Sequence, residues 1–281
     1  MNAAKTGTVM VAVAAASWGT WSLFLYPTRL PAQATMPIIF LVMGVSSLIF
    51  VRGEAPPRWD RRTWWLLAAN TVFDAGNGVC FFAAYDRTSV AIAVLSHYAA
   101  PILIALAAPR IDGRTVRGTR PAAAVALAGL VIVLEPWHSP AAGALAGAAL
   151  GVMSAVFYTG NVFVVRRLAE RISAPRAMAY HSLLAAAVTA PLGIPYYPDA
   201  TLDGLALLAL GAIVVGTCAG IAFVVGLGRI GSARAAVLTY AEPLVAVAVG
   251  ALVWGQALHP IAAAGGALVL GAGLYVARQA R

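Results

Sequence analysis

The chain alternates between long apolar runs and short polar connections, and ten such runs follow one another. A helix needs roughly 20 apolar residues to cross the hydrocarbon core of a bilayer, which is close to the length of each run. The pattern therefore predicts an all-α membrane protein with ten transmembrane helices. The predicted runs are 8–26, 35–51, 64–85, 89–109, 119–135, 142–165, 177–195, 203–227, 232–254 and 260–277.

Composition supports this class and limits what else the chain can hold. Of its 281 residues, 61% are apolar and 10% are charged, whereas about a quarter of the residues of a soluble domain are charged. Ten helices of roughly 20 residues leave connections on the order of seven residues, too short for a soluble domain. A receptor with an ectodomain and an enzyme with a folded catalytic head are therefore not expected. A GxxxxGK[ST] phosphate loop is also missing, so we expect no use of ATP.

The basic residues predict how the chain is oriented. The net charge is +9, and 17 of the 19 Lys and Arg residues lie in alternate connections and near the two chain ends, while Arg29 and Arg87 lie on the other side. Because Lys and Arg in short loops stay on the cytoplasmic face, both termini are predicted to be cytoplasmic. Charges spread over so many connections do not form the basic patch that binds nucleic acid, so no nucleic-acid partner is expected.

A weak internal repeat divides the chain into halves, residues 1–140 and 141–281. AVLSHYAAPI at 93–102 resembles AVLTYAEPL at 236–244, which pairs two tyrosines and two prolines. Each half holds five runs, an odd number, so the second half enters the membrane inverted relative to the first. We therefore expect one membrane domain of two inverted five-helix repeats around a central cavity that opens to either side in turn.

The paired prolines of this repeat, Pro101 and Pro243, each lie near the middle of an apolar run. Proline lacks an N–H and its ring clashes with the preceding turn, so it breaks one helix hydrogen bond and permits a kink. Matched prolines in inverted halves are interpreted as hinges. A pair of static bends is the alternative interpretation.

Ionisable side chains within the runs form a first group of candidate functional residues. Each costs about 2.5–3.5 kcal/mol on membrane-insertion scales, so each needs a structural or functional reason. Such a group can carry a proton, bind the ammonium of a substrate, or only form a hydrogen bond. The candidates are Asp74, His97, His181 and Glu242.

A stripe of polar and aromatic residues follows one face of the third predicted helix, at spacings of three or four residues. Its members are Asn70, Asp74, Asn77, Phe81 and Tyr85. Acceptors, donors and rings on one face suit a pocket for a polar organic solute. The alternative is a buried polar network that only holds helices together.

Further aromatic and amide residues lie on the first, fourth, sixth and ninth predicted helices. Rings with polar tips offer flat apolar walls beside hydrogen-bonding groups, and such a site discriminates weakly between side chains. For each ring, ordinary packing is the alternative. The predicted substrate-binding residues are Trp18, Trp21, Asn77, Tyr85, Tyr98, Tyr158, Asn161 and Tyr240.

The sequence gives no sign of metal, redox or intramembrane enzyme chemistry. Cys80 and Cys218 lie inside apolar runs without CxxC spacing, and an HExxH motif is absent. The four histidines, at positions 97, 138, 181 and 259, are isolated in the sequence, and Glu135 is expected at the membrane edge without a special role. No cofactor or metal is therefore expected. The chain also lacks the charged ring or repeated filter motif of a channel.

The chain resembles the drug/metabolite transporter superfamily, specifically its EamA-type ten-helix exporters. The likeness rests on SWG at 17–19, on the two five-helix repeats, and on the proline-containing segments of the fourth and ninth runs. The segment 73–101 is similar to the bacterial aromatic amino-acid exporter branch, the YddG type. One departure is WGQ at 254–256, where the family usually carries Gly-Glu.

The resemblance implies a secondary transporter of the bacterial inner membrane and not an enzyme. It implies export of aromatic and neutral amino acids with broad specificity, or else of another small metabolite or drug. The expected partners are the lipid bilayer and a small-molecule amino-acid substrate. The sequence leaves the oligomeric state open, and a monomer suffices for this function.

Overall fold

The computed structural model describes residues 3–57, 59–85, 87–113, 117–138, 143–256 and 259–278, and the side chains of Tyr85 and Val90 lie outside this description. Over these ranges the regular secondary structure is helical. The α-helices are α1 (Ala3–Trp18), α2 (Ser22–Leu25), α3 (Ala32–Val51), α4 (Arg61–Tyr85), α5 (Val90–His97), α6 (Ala100–Ile111), α7 (Thr119–Leu134), α8 (Ala144–Ala169), α9 (Ala174–Gly193), α10 (Leu202–Gly211), α11 (Ala219–Ile230), α12 (Ser232–Leu238), α13 (Ala241–Trp254) and α14 (Ile261–Arg278). Shorter 3₁₀ helices cover Tyr26–Thr28, Pro136–His138 and Ile194–Asp199, and a π-helix covers Ala212–Cys218.

Within the described ranges, ten helical stretches are long and apolar enough to cross a membrane. In chain order, these first to tenth spans are Ala3–Thr28, Ala32–Val51, Arg61–Ala84, Ala91–Ile111, Thr119–His138, Ala144–Ala169, Ala174–Asp199, Leu202–Ile230, Ser232–Trp254 and Ile261–Arg278. The predicted number of helices and the all-α class are confirmed. Several spans run a few residues past the predicted limits, because helices continue after the hydropathy has fallen.

The outer surface of the bundle is apolar. Leu145, Leu202 and Leu252 are exposed to 86%, 85% and 86%. In water such a surface would promote aggregation, whereas in a bilayer it contacts lipid tails. The fold is therefore that of a multi-pass membrane protein.

The first, fourth and ninth spans are interrupted along their length. The interruptions separate α1 from α2, α5 from α6, and α12 from α13. Pro101 and Pro243 both lie in the first turn of the helix that follows the interruption, where a missing N–H removes no helix hydrogen bond. Both prolines therefore lie next to a break in the helix, where a bend was predicted.

Helices of the first half pack mainly against helices of the second half. The close pairs are α1 with α11, α3 with α9, α4 with α8, and α7 with α14. Lipid provides no hydrophobic drive for helix association, so close packing depends on small residues. Gly129 and Gly265 allow the closest approach of α7 and α14, since a Cβ on Gly129 would lie 2.6 Å from the Gly265 carbonyl oxygen. Gly151 likewise lets α8 approach α5, because its Cβ would lie 2.5 Å from Ser96 Cβ.

Candidate functional site

A small cavity lies where the interruptions of the fourth and ninth spans face the sixth span. Its lining residues are His97, Tyr98, Ala100, Pro101, Tyr158, Thr239 and Glu242. The volume of the cavity is about 10 Å³, which is room for about one water molecule. Any amino acid therefore requires the walls to separate.

Two tyrosines connect the interruptions of the fourth and ninth spans. The Tyr240 hydroxyl donates to the backbone carbonyl of Tyr98 at 2.9 Å, and the two rings lie 5.7 Å apart. In an unbroken helix that carbonyl would accept from Ile102, whose N–H instead donates to Ala99. Tyr240 therefore satisfies a carbonyl released by the interruption, while the Tyr98 hydroxyl hydrogen-bonds the Glu242 carboxylate.

A chain of three polar side chains extends from the cavity into the third span. The Ser154 hydroxyl donates to Asn77 Oδ1 at 2.7 Å, and His97 Nδ1 lies 2.9 Å from the Ser154 oxygen. A serine hydroxyl has one proton, so His97 donates from Nδ1. The Nε2 atom of this neutral imidazole is then left as an acceptor. The ring of His97 also packs against Tyr158, with centroids 5.5 Å apart.

A second polar cluster lies about one turn away along α4 and about two turns away along α8. Asp74 accepts from the Asn161 amide at 3.1 Å, and its other oxygen lies 3.1 Å from His181 Nε2. His181 Nδ1 lies 3.0 Å from the Ala177 carbonyl oxygen, which can only accept, so Nδ1 carries a proton. A hydrogen bond between Nε2 and Asp74 then needs a second proton. The contact between Asp74 and His181 therefore depends on protonation.

The first span is also interrupted, after Trp18, and there it contacts the helix that carries Glu242. Gly19 lies directly against the start of α13, where an added Cβ would fall within contact distance of the Glu242 backbone and of Val245. A side chain larger than hydrogen does not fit there. Trp18 points to other partners, since its ring lies 4.9 Å from that of Phe223 on α11.

Comparison with known proteins relates the chain to membrane transporters. The sequence profile of the EamA-like transporter family matches residues 145–278. The match covers most of the second half of the chain. The whole chain is 27% identical over 277 residues to an uncharacterized transporter of Archaeoglobus fulgidus, covering 97% of this chain and 96% of that one. These similarities support membrane transport as the function.

A solved structure shows a similar fold over nearly the whole chain. One crystal structure, titled "Crystal structure of protein", superposes with a TM-score of 0.84 and covers 97% of this chain and 98% of its own. The identity is 24%, so the match describes the fold alone. The matched family is one of transporters, which agrees with the expectation that the chain is not an enzyme.

The helix bundle brings part of the predicted substrate-binding set together. Tyr98 and Tyr158 line the cavity beside the predicted ionisable residues His97 and Glu242. Asn77 reaches His97 through Ser154.

The other predicted residues lie outside the cavity lining. Asn161 belongs to the Asp74 cluster, Tyr240 is completely buried behind Tyr98, and Trp18 packs on α11. Trp21 forms the turn after α1 and is half-buried. The Tyr85 side chain lies outside the described residues.

Sequence reasoning missed Thr239 and Ala100 as lining residues. Both flank the tyrosines of the repeated segment, Thr239 before Tyr240 and Ala100 two positions after Tyr98. The repeat itself was therefore the available signal, but their small side chains gave no chemical reason to select them.

Ion pairs link the two halves at one end of the bundle, here called the arginine-rich end. It comprises the described residues 52–57, 59–60, 112–113, 117–118 and 170–173. In each pair the acid belongs to the first half and the arginine to the second. The pairs are Arg166–Asp112 at 2.6 Å, Arg176–Glu54 at 3.4 Å and Arg171–Asp60. At this end the two halves are therefore held together by charge.

One of these acids has a clearly altered proton affinity. The pKa of Asp60 lies below its ordinary value because the backbone N–H of Thr63, and then its hydroxyl, donate to the carboxylate. The positive charges of Arg171 and Arg62 lower the pKa further. Asp60 is thus fixed as an anion at the arginine-rich end at neutral pH.

Proposed function

We propose that the protein is a secondary transporter that exports aromatic and neutral amino acids by alternating access across a bacterial inner membrane. The main support for this proposal is the cavity at the interruptions of the fourth and ninth spans. Its lining combines one carboxylate with aromatic walls and hydrogen-bonding groups. Interrupted helices of this kind form midplane sites in many secondary transporters. The positive-inside pattern supports cytoplasmic termini.

The cavity chemistry suits a zwitterionic amino acid. The Glu242 carboxylate is the group that would receive the substrate ammonium, and the Tyr98 hydroxyl already orients it. The amino-terminal ends of α6 and α13 meet at the cavity, and helix amino termini favour a carboxylate. Tyr98 and Tyr158 supply walls for a neutral or aromatic side chain.

The packing of the spans supports two inverted repeats, residues 1–140 and 141–281. The first span packs on the eighth and the third on the sixth, while the second packs on the seventh and the fifth on the tenth. Exchanging the halves interchanges the first two pairs and leaves each of the other two unchanged. A bundle with this symmetry can exchange the shapes of its halves, which is the basis of alternating access.

The Asp74–His181 pair supports coupling of transport to protons. Asp74 lies on α4 of the first half and His181 on α9 of the second half, and the two side chains lie 3.1 Å apart across that boundary. A proton between them makes this contact a hydrogen bond. If the pair lost this proton, the Asp74 carboxylate would face the lone pair of His181 Nε2 and the contact would become repulsive. Proton release is therefore tied to the relative position of the halves.

Counterflow in liposomes tests the transport proposal. Vesicles containing the purified full-length protein and unlabelled phenylalanine or threonine should take up the labelled amino acid in a saturable manner. Glu242→Gln should weaken apparent affinity on the order of tenfold or more, because a charge-assisted hydrogen bond is worth about 1.5–3 kcal/mol. Glu170→Gln, at an exposed carboxylate outside the cavity, is the matched control and should transport normally.

Other outcomes of this assay would contradict specific parts of the proposal. Counterflow restricted to another class of small solute would make the protein an exporter of that metabolite or drug. Conductance without counterflow would make it a channel, and formation of a product would make it an enzyme.

A pH gradient tests the coupling step separately. Asp74→Asn keeps a side chain that hydrogen-bonds Asn161 and His181 but has no proton to release. This variant should retain counterflow at equal pH on both sides and lose accumulation driven by a pH gradient. Unchanged gradient-driven accumulation would remove Asp74 from the coupling mechanism.

A further inference from the structure

Two histidines and a glutamate meet at the end of the bundle opposite the arginine-rich end. His259 Nδ1 lies 2.7 Å from Glu135 Oε2, and His138 Nδ1 lies 2.9 Å from the same oxygen. The two imidazole rings are 5.4 Å apart and nearly perpendicular, at 84°. One ligand atom from each residue falls within 4.8 Å of the others.

The packing of the fifth and tenth spans explains why residues so distant in the sequence meet. Gly129 and Gly265 mark the closest contact of the antiparallel helices α7 and α14. Six residues beyond Gly129 lies Glu135, and six residues before Gly265 lies His259. His138 follows on the short helix Pro136–His138. In space, therefore, two of the histidines that are isolated in the sequence share one carboxylate.

The donor set matches what transition-metal ions select. Two imidazole nitrogens and one carboxylate oxygen form a common three-ligand set for Zn²⁺, with water as the fourth ligand. Ligands at about 2.0–2.1 Å from a tetrahedral zinc ion lie roughly 3.3 Å apart, so an outward movement of a few tenths of an ångström admits the ion. The imidazoles have room to move, because the side chains of His138 and His259 are 60% and 62% exposed. The side chain of Glu135 is only 11% exposed and stays in place.

We propose that Glu135, His138 and His259 bind one transition-metal ion of the Zn²⁺ class. Each neutral imidazole coordinates through Nδ1 after its proton moves to Nε2, and the ion takes the place of the two hydrogen bonds to Glu135. Because the fifth and tenth spans come from different halves of the chain, the bound ion links the halves at this end. The proposal does not depend on which solute is transported.

Metal titration of the purified full-length protein, without an affinity tag, tests the site. Zn²⁺ should bind with one equivalent at micromolar concentration and raise the thermal unfolding temperature. His138→Gln and His259→Gln should each weaken binding at least about tenfold, because one of three protein ligands is lost. Glu170→Gln, a carboxylate remote from the site, is the control and should bind like the parent protein.

Cobalt spectroscopy gives a second measurement that needs no variant. Co²⁺ in a tetrahedral site with nitrogen ligands absorbs strongly in the visible range, whereas octahedral Co²⁺ absorbs weakly. Strong bands that Zn²⁺ abolishes at one equivalent would support the site. No saturable Zn²⁺ binding, weak bands only, or unchanged binding by both histidine variants would overturn the proposal.

Discussion

The two ends of the bundle connect the halves of the chain in different ways. At the arginine-rich end, three arginine–carboxylate pairs cross between the halves, and α6 packs directly against α12. At the opposite end, α5 packs on α8, whereas α13 packs on α1 and α14. The fourth and ninth spans therefore converge at one end and take separate partners at the other.

This difference indicates which end is closed. The buried pair Arg166–Asp112, with side chains 11% and 6% exposed, holds the arginine-rich end, and Asp112 also accepts from the backbone N–H of Ser232 at the start of α12. The opposite end relies on the exposed histidines around Glu135 and on the ring contact between Tyr26 and Trp254. Alternating access would require the ion pairs to separate and the opposite end to close.

Labelling from one side of the membrane is the test with the largest expected effect, because its outcome is all or none. In a background with both cysteines replaced by alanine, Asp199→Cys should react with an impermeant maleimide in intact cells. Glu170→Cys should react only after permeabilisation. Both positions are exposed, and they lie at opposite ends of the bundle. Labelling with the reverse sidedness would contradict the assignment of the arginine-rich end to the cytoplasm.

Removal of single acids at the arginine-rich end should have the next largest effect. Asp112→Asn leaves Arg166 buried without its partner, and breaking a buried pair typically costs about 3–5 kcal/mol. We expect the free energy of unfolding in detergent to fall by about 3 kcal/mol on this basis. Asp60→Asn is the matched comparison and should have a much smaller effect, because the Arg171–Asp60 pair is exposed to solvent. Equal losses in the two variants would show that burial does not distinguish these pairs.

The arrangement of helices follows from patterns that the sequence carries locally. The length of the apolar runs predicted the number of spans. The alternation of basic connections agrees with the ion pairs, which bring the acids Glu54, Asp60 and Asp112 to the same end as the arginines of 166–176. The repeated tyrosine and proline positions located the interruptions, because Pro101 and Pro243 begin new helices there.

The composition of the cavity was harder to predict, because it depends on which side chains the packing turns inward. Helical spacing predicted that Asn77 and Asn161 face the interior of the bundle. Their partners became visible only in the folded structure, where Asn161 donates to Asp74 and Ser154 links Asn77 to His97. His138 and His259 lie close together because α7 packs against α14. The spacing of the two histidines in the sequence does not predict this contact.

The interruptions let the two ends of a span move separately, and proline replacement tests this. Pro101→Ala or Pro243→Ala supplies an N–H that can extend the helix across the interruption, so transport should slow severalfold while the folded yield stays the same. The measurement is the initial rate of counterflow per folded protein. Pro191→Ala, inside α9 at an exposed position, is the control. Unchanged rates in both cavity variants would leave the prolines as static bends.

The smallest expected effect is the pH dependence of the exposed pair at the arginine-rich end. The folded-state pKa of Asp60 lies below its ordinary value of 3.8, chiefly because the backbone N–H and then the hydroxyl of Thr63 donate to the carboxylate. The stabilisation from Asp60 is therefore complete above the ordinary pKa and is lost as the pH falls through the lower, folded-state pKa. The unfolding temperatures of the parent and of Asp60→Asn should differ slightly at neutral pH and converge in acid. Asp199→Asn at the opposite end is the control, and a difference for Asp60→Asn that widens in acid would contradict the assignment.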